Sequence, residues 1–388
     1  MKRYAFLSMV TFALFGCGGS DGGSDSSAQA APSAIEGTID SVSATTVTVN
    51  GYTYQATSAS FQGQTFDQDM LTLEPNMMVK VSNQSRATNS SVELEPTFIG
   101  QIENINRLNS TFSITGVNLK FPRLSTTIAN KDWVMVSSMP TANAGYKVLS
   151  VVKFLQDPLD GEMVAEGRVS ALDMNSQSFK IGQSLTISFD PQIVEDKRTL
   201  ADGMWVEVQG QYDESNGELI SSRITIKTYN DFPNDGEIEG IVTWVAKDKS
   251  EFELNYRSRI AVRSTTEFDD GNKNNLVAGA LVEVEIGNQG NAVYAKEIEF
   301  EDDLDIDWEQ FEFGEEGRIS NIGDVKEFVE ITNRKDKKTI IFVDANTEYE
   351  DFKDLGALNI DECIEVEGII IDGKHIAREI SLEDDCDD

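Results

Sequence analysis

The chain is poor in the residues that most hydrolases and metalloenzymes rely on. It has one histidine in 388 residues, so a His-based zinc site or a Ser–His–Asp triad would hang on a single ring. That residue, His375, follows the turn signal Asp372-Gly373 and reads as an exposed hairpin position. No phosphate loop or dinucleotide fingerprint is present. Gly18-Gly19-Ser20-Asp21-Gly22 formally matches a nucleophile elbow, but it has no strand before it and no helix after it. Two carboxylates could converge for acid–base work, yet 67 acidic residues offer no way to choose a pair. The expectation is therefore a non-catalytic protein, with a carboxylate-only hydrolase as the enzymatic alternative. Long apolar runs are also missing: no stretch reaches the roughly 18 residues of a transmembrane helix. Nor does any segment keep a 3.6-residue apolar period over three turns.

Basic residues are scarce too. Lys and Arg number 32 against 67 Asp and Glu, for a formal charge of −35. This disfavours nucleic acid and anionic lipid as partners, since both need cationic side chains to displace counterions. The excess reads as a solvated surface that keeps the protein soluble; the sharper alternative is weak, multivalent cation binding. The densest run is Asp302-Asp303-Leu304-Asp305-Ile306-Asp307-Trp308-Glu309. In an extended segment Asp303, Asp305, Asp307 and Glu309 share one face. Such oxygen clusters suit Ca²⁺, although the Gly and Glu that an EF-hand requires are missing. The alternative is an acidic linker whose Leu304, Ile306 and Trp308 pack on a module. No cofactor is expected apart from this possible Ca²⁺.

The N-terminus is laid out like an export signal. Lys2 and Arg3 precede a mostly apolar run from Tyr4 to Phe15, too short to span a membrane in the mature protein. Leu14-Phe15-Gly16-Cys17 then reads as a lipobox, with Cys17 as the lipidated residue. A Gly/Ser/Asp/Ala tract follows and reads as a flexible tether. Gly18 after the cysteine points to the outer membrane. Acyl chains on Cys17 would be the membrane contact, each buried methylene contributing about 0.8 kcal/mol. Of three cysteines, Cys363 and Cys386 remain. In an oxidising compartment they read as one disulfide closing a loop worth about 3 kcal/mol; otherwise they are two free thiols.

Internal repetition carries the architecture. Gly-x-aliphatic-x-x-aliphatic occurs five times, starting at Gly37, Gly100, Gly167, Gly240 and Gly317. Four copies have Glu before the Gly: Glu36, Glu166, Glu239 and Glu316. About 40 residues on, a turn-like residue leads to an apolar–x–apolar pair. The pairs are Val79/Val81, Val134/Val136, Val206/Val208, Val282/Val284 and Ile364/Val366. A third apolar pair closes each unit, from Val92/Leu94 to Ile380/Leu382. Alternation of β-branched and polar residues marks half-buried strands. About five strands in 60 to 75 residues predict a small closed or nearly closed barrel, which removes exposed sheet edges.

The fold expected is therefore all-β: five tandem, about five-stranded β-barrel modules, OB-like in size, after a signal peptide and tether. The segments are 1–16 signal, 17–33 tether, modules at 34–96, 97–157, 162–229, 236–301 and 314–383, an acidic linker at 302–313, and a tail at 384–388. Each module is expected to have its own apolar centre, with the modules strung as a rod. Units this small are marginal alone, so neighbours are expected to pack or to be held by stiff junctions such as Asp231-Phe232-Pro233. The opening, middle and closing phrases resemble the tandem bacterial envelope domain known as domain of unknown function 5666, from roughly Ala34 to Glu383. The resemblance implies short barrel-like modules on secreted or lipid-anchored proteins, and it lends no functional residues. Trp133 and Trp205 occupy one column, opposite the Val/Val face; they are either module contacts or platforms for stacking a ligand such as a sugar ring. The partner is expected to be an envelope protein or a glycan, in a binding or spacer role.

Overall fold

The computed structural model describes residues 31–388, apart from 57, 67–69, 83–90, 183, 196–198, 291, 302–311, 351, 372, 384–385 and 387–388. The described residues form strands and three short 3-10 turns, with no α-helix among them. Repeat 1 holds β1 (Ala34–Val42), β2 (Thr46–Val49), β3 (Tyr52–Gln55), β4 (Ala59–Phe61), β5 (Gln64–Phe66), β6 (Met78–Ser82) and β7 (Ser91–Leu94). Repeat 2 holds β8 (Phe98–Asn106), β9 (Thr111–Ile114), β10 (Val117–Lys120), β11 (Trp133–Pro140) and β12 (Tyr146–Lys153). Repeat 3 holds β13 (Met163–Arg168), β14 (Ser170–Asp173), β15 (Ser178–Ile181), β16 (Leu185–Ser188), β17 (Trp205–Asp213) and β18 (Glu218–Ile226). Repeat 4 holds β19 (Gly236–Val245), β20 (Glu251–Leu254), β21 (Ser258–Asp269), β22 (Leu281–Gln289) and β23 (Ala292–Phe300). Repeat 5 holds β24 (Glu312–Ile322), β25 (Phe328–Thr332), β26 (Lys338–Phe342), β27 (Glu348–Tyr349), β28 (Cys363–Ile371) and β29 (Lys374–Glu383). The strand β24 begins inside the span expected to be linker.

Steric crowding explains the recurrent Gly. A Cβ on Gly100 would lie 2.9 Å from Ile114 Cγ2, and one on Gly317 2.8 Å from the Thr332 carbonyl oxygen. On Gly37, Gly167 and Gly240 it would run into Asn50, Tyr146 and Asn255 respectively. The middle turn is equally specific. Asn76, Lys131, Gly203, Gly279 and Asp361 all have positive φ, between 67° and 92°. Their amides donate to Ile39, Ile102, Val169, Val242 and Ile319, the first aliphatic of each repeat, at 2.7–2.9 Å. One left-handed residue thus ties the middle strand of each repeat back to its first. Beyond that turn the Val/Val pairs and Ile364/Val366 are fully buried.

Strand pairing follows one plan. In repeat 5 it runs β24–β25–β26–β29–β28 and returns to β24, with β26 and β29 parallel. In repeat 4 it runs β19–β20–β21–β23–β22 and returns to β19. Repeats 1 and 3 keep the parallel closure through β4–β7 and β16–β18, with one long strand broken in two. In repeat 2 no pairing joins β10 to β12.

Repeats 1 to 4 are not separate globules, which corrects the expected string of independent modules, while repeat 5 keeps its own six-stranded sheet. The parallel pairing of β1 with β19 merges repeats 1 and 4 into a 12-stranded sheet. The antiparallel pairing of β8 with β13 merges repeats 2 and 3 into an 11-stranded sheet. Repeat 5 keeps a centre of its own, built on Ile319, Val329, Ile341, Ile364 and Ile380, but repeats 1 to 3 do not. Phe98, Phe112 and Val134 of repeat 2 share one core with Phe179, Val206 and Ile224 of repeat 3. Ile99, Met135 and Val164 point the other way, into the core of repeat 1. Another apolar cluster draws on all five repeats, through Met78, Met139, Trp205, Ile241 and Ile369 among others. Each such side chain, fully buried, contributes about 1.5–3 kcal/mol, which a small unit cannot obtain alone.

The left-handed turn generates a paired prediction. Gly279→Ala places a Cβ at φ 91° and should cost about 1–2 kcal/mol. Asp361→Gly, at φ 71°, should be neutral or stabilising, because the strain it removes offsets the added freedom of the unfolded chain. Urea melts of the two variants check this; equal losses would contradict the turn assignment.

Candidate functional site

The polar feature that organises the molecule is a turn of repeat 4. Asn255 and Tyr256, between β20 and β21, both adopt left-handed backbone (φ 54° and 57°). Two adjacent non-glycine residues in that region are costly, and three consecutive side chains hold them there. Asn255 Oδ1 accepts from the Ile241 amide at 2.8 Å, and its Nδ2 donates to Tyr229 Oη at 2.9 Å. Tyr256 Oη donates to the Ala142 carbonyl of repeat 2 at 2.7 Å, while its ring stacks on Trp205 of repeat 3 at 5.7 Å. Arg257 reaches furthest: Nη1 donates to Glu36 Oε1 of repeat 1 at 2.5 Å, and Nη2 to Glu166 Oε1 of repeat 3 at 2.5 Å. Glu166 Oε1 also accepts from Trp205 Nε1 at 2.5 Å.

A second cation lies beside the first. Lys227 Nζ, at the end of repeat 3, stands 2.7 Å from Glu95 Oε2 and 3.9 Å from Glu207 Oε2. Gln62 of repeat 1 donates to Glu207 Oε1 at 2.9 Å. Glu36, Glu166 and Glu207 are all buried. Four carboxyls thus face two cations, and burial decides how they divide the charge. It pushes Glu36 and Glu207 up, more than Arg257 and Lys227 respectively pull them down. Burial also works against Glu95, but Lys227 and Arg257 outweigh it and hold that carboxyl below its usual range.

The four Glu of the repeat phrase therefore do different work. Glu36 and Glu166 bind Arg257. Glu239 is buried at the seam of repeats 1 and 4, where it accepts from the Thr38 amide at 2.6 Å. Glu316 lies in repeat 5 beside Cys363 and Cys386, its Oε1 3.4 Å from Arg334 Nη2. Those two cysteines are joined by a disulfide, Cα–Cα 5.6 Å. Glu316 and the two bonded sulfurs form the one cluster of metal-ligand type among the described residues.

The residues singled out from the sequence fall as follows. Cys17, Asp303, Asp305, Asp307 and Glu309 lie outside the described residues. Trp205 is buried between repeats 3 and 4, and Trp133 is partly buried against the core of repeat 1. Both take the module-contact place, and Trp205 has no face to offer a sugar. His375 is not an exposed hairpin residue: it is half-buried in β29, edge-on to Phe313 at 4.7 Å, and burial lowers its pKa. Arg257, Lys227, Tyr229 and Tyr256 were not legible as site residues. The recurrent Glu was a visible half of the signal; its cationic partner occurs in one repeat only and leaves no periodic trace.

Repeat 4 carries a second electrostatic feature. Across β19, β22, β23 and β21, Glu237, Glu285, Glu297 and Glu267 stand directly opposite one another in a row. Glu239, Glu283, Glu299 and Asp269 form the next row. Like charges in opposed positions destabilise a sheet. Burial, then Glu237 and Glu239, push Glu283 up to about 9.

These features define an all-β protein of tandem repeats locked together by buried polar contacts. The chain belongs to the family described as Domain of unknown function (DUF5666), whose model matches residues 36–92, 166–225, 239–299 and 316–381. Each matched span opens on one of the four Glu, and repeat 2 lies outside them. No curated protein matches the chain. Among solved structures, the Drosophila Unr CSD456 structure is similar at 14% identity, covering 57% of this chain and 97% of that one, with a TM-score of 0.15. At that score the likeness lends nothing to the reading of the site.

The Glu rows set a pH dependence. A carboxyl whose folded pKa is raised stabilises the fold below its unfolded pKa, and that contribution is lost as pH rises through the folded value. For Glu283 the window runs from the ordinary 4.5 to about 9. Thermal stability should therefore fall between pH 5 and pH 9, and Glu283→Gln should flatten the slope and raise Tm at pH 9. A steeper slope in the variant would contradict the assignment.

Proposed function

We propose that this protein is a non-catalytic, lipid-tethered envelope protein whose repeats form one rigid binding platform. The observation that carries the reading is Arg257, which joins repeats 1, 3 and 4 through buried ion pairs. Breaking either contact leaves a buried charge unpaired, which opposes any hinge between those repeats. Shared sheets and a common apolar cluster favour a fixed platform over an extended spacer. We read each repeat as a small barrel of OB-like size; the returning strand paths of repeats 4 and 5 and the parallel closures of repeats 1 and 3 support this. Rigidity of this kind suits recognition of an envelope protein or glycan, since little ordering entropy remains to be lost on binding.

The anchor rests on the Leu14-Phe15-Gly16-Cys17 motif and the tract after it, with the outer membrane as the location. No helix among the described residues is long and apolar enough to cross a membrane, and on this reading acyl chains on Cys17 make the membrane contact. Cys17→Ala should move the protein from the membrane fraction to the soluble fraction without changing its circular dichroism. A variant that still sediments with membranes would contradict the tether.

A further inference from the structure

Repeat 2 departs from its siblings in two independent ways. Its barrel path is open, because β10 pairs only with β9 and β12 only with β11. Repeats 1, 3, 4 and 5 close the same position by parallel pairing. The Phe121 amide bonds the Ser110 carbonyl on the β9 side at 2.8 Å. Antiparallel alternation then turns the main-chain N–H and C=O groups of Asn118 and Lys120 toward the open side. No strand pairs with them there among the described residues. A cavity of about 470 Å³ opens along this edge, lined by Val117 to Lys120 of β10, by Asn143 to Tyr146 leading into β12, and by Gly182 and Ser184 of repeat 3.

The second departure is charge. Residues 97–157 hold six basic residues against three acidic ones, in a chain of formal charge −35. Lys131 is matched by Glu103 and Glu214, and Lys153 by Asp132. Arg107 spends its guanidinium on the carbonyls of Leu124 and Ile128. Lys120 stands exposed at the end of the open edge. Along β10, Val117 and Leu119 are buried while Asn118 and Lys120 are exposed.

We propose that the open edge of repeat 2 is a strand-addition site for an extended peptide segment that alternates apolar and acidic residues. Main-chain hydrogen bonds to Asn118 and Lys120 supply affinity, and side-chain alternation supplies selectivity. Apolar residues of the added strand face inward beside Val117 and Leu119, and its carboxylates face outward beside Lys120. The proposal rests on the reading of the body as a binding platform and names the partner class; it does not depend on the tether.

The test is fluorescence anisotropy of the full chain with fluorescein-labelled acetyl-(Val-Glu)₄-amide at low salt. Saturable binding is expected, weakened at least tenfold by N-methylation of alternate peptide amides and at least tenfold by Lys120→Glu. Binding should protect the amides of residues 117–120 from hydrogen exchange. No binding, equal binding of the N-methylated peptide, equal binding of (Val-Lys)₄, or protection confined to another repeat would each overturn the proposal. A single cooperative calorimetric transition of the full chain alongside a failed peptide titration would sink the strand site alone and leave the rigid platform standing.

Discussion

Burying an arginine between two glutamates from different repeats is the constraint on which the arrangement depends. Desolvating the guanidinium and carboxylates is expensive, and the Coulomb attraction offsets that only when the geometry is held closely and the remaining groups are bonded. Arg257 meets the geometric requirement through the turn that carries it, and both terminal nitrogens are bonded, although its Nε is buried without a hydrogen-bond partner among the described residues. Asn255 fixes one side of the turn to Ile241 and Tyr229, and Tyr256 fixes the other to Ala142 and Trp205. The left-handed backbone of that turn is tolerated because three other repeats hold its side chains. Parallel pairing of β1 with β19 and the cluster drawn from all five repeats follow from the same convergence.

The local grammar of the repeats was legible in the sequence because it is steric. Gly recurs where a Cβ would strike a neighbour, and the middle turn recurs where φ must be positive. Lys131 and Asn76 show that the turn is defined by its backbone and not by its residue type: both hold the same left-handed geometry as Gly203. The buried pairs on the middle strands read correctly from alternation; on the last strands Phe300 is only partly buried and Leu382 is exposed. The spatial order of the repeats was not legible. Glu36 and Arg257 are 221 positions apart, and no periodic pattern reports a contact made once. The column of Met78, Trp133, Trp205, Leu281 and Cys363 showed which face looked outward, but not that the outward face of one repeat becomes the inside of another.

Repetition with variation is where function enters. Duplicated units begin with equivalent surfaces, and packing them around one centre consumes most of those surfaces. Glu36, Glu166 and Glu239 are spent on the joints, and Glu316 sits beside the disulfide. Repeat 2 lacks the Glu, has Ile99 in its place, carries a positive balance and keeps an open edge. It supplies no charged side chain to the Arg257 and Lys227 joint, and β10 pairs on one side only among the described residues. On the proposed reading the copies divide labour: some hold the body together while another presents an edge.

The most direct measurement of the central claim is scanning calorimetry of the full chain beside Arg257→Met. If the repeats unfold as one body, the wild type gives a single transition whose calorimetric and van't Hoff enthalpies agree. Removing the guanidinium should then lower that whole transition, by an amount on the order of 3–5 kcal/mol, because it leaves Glu36 and Glu166 buried without their cation. Several separate transitions, with Arg257→Met shifting none of them or one alone, would contradict it.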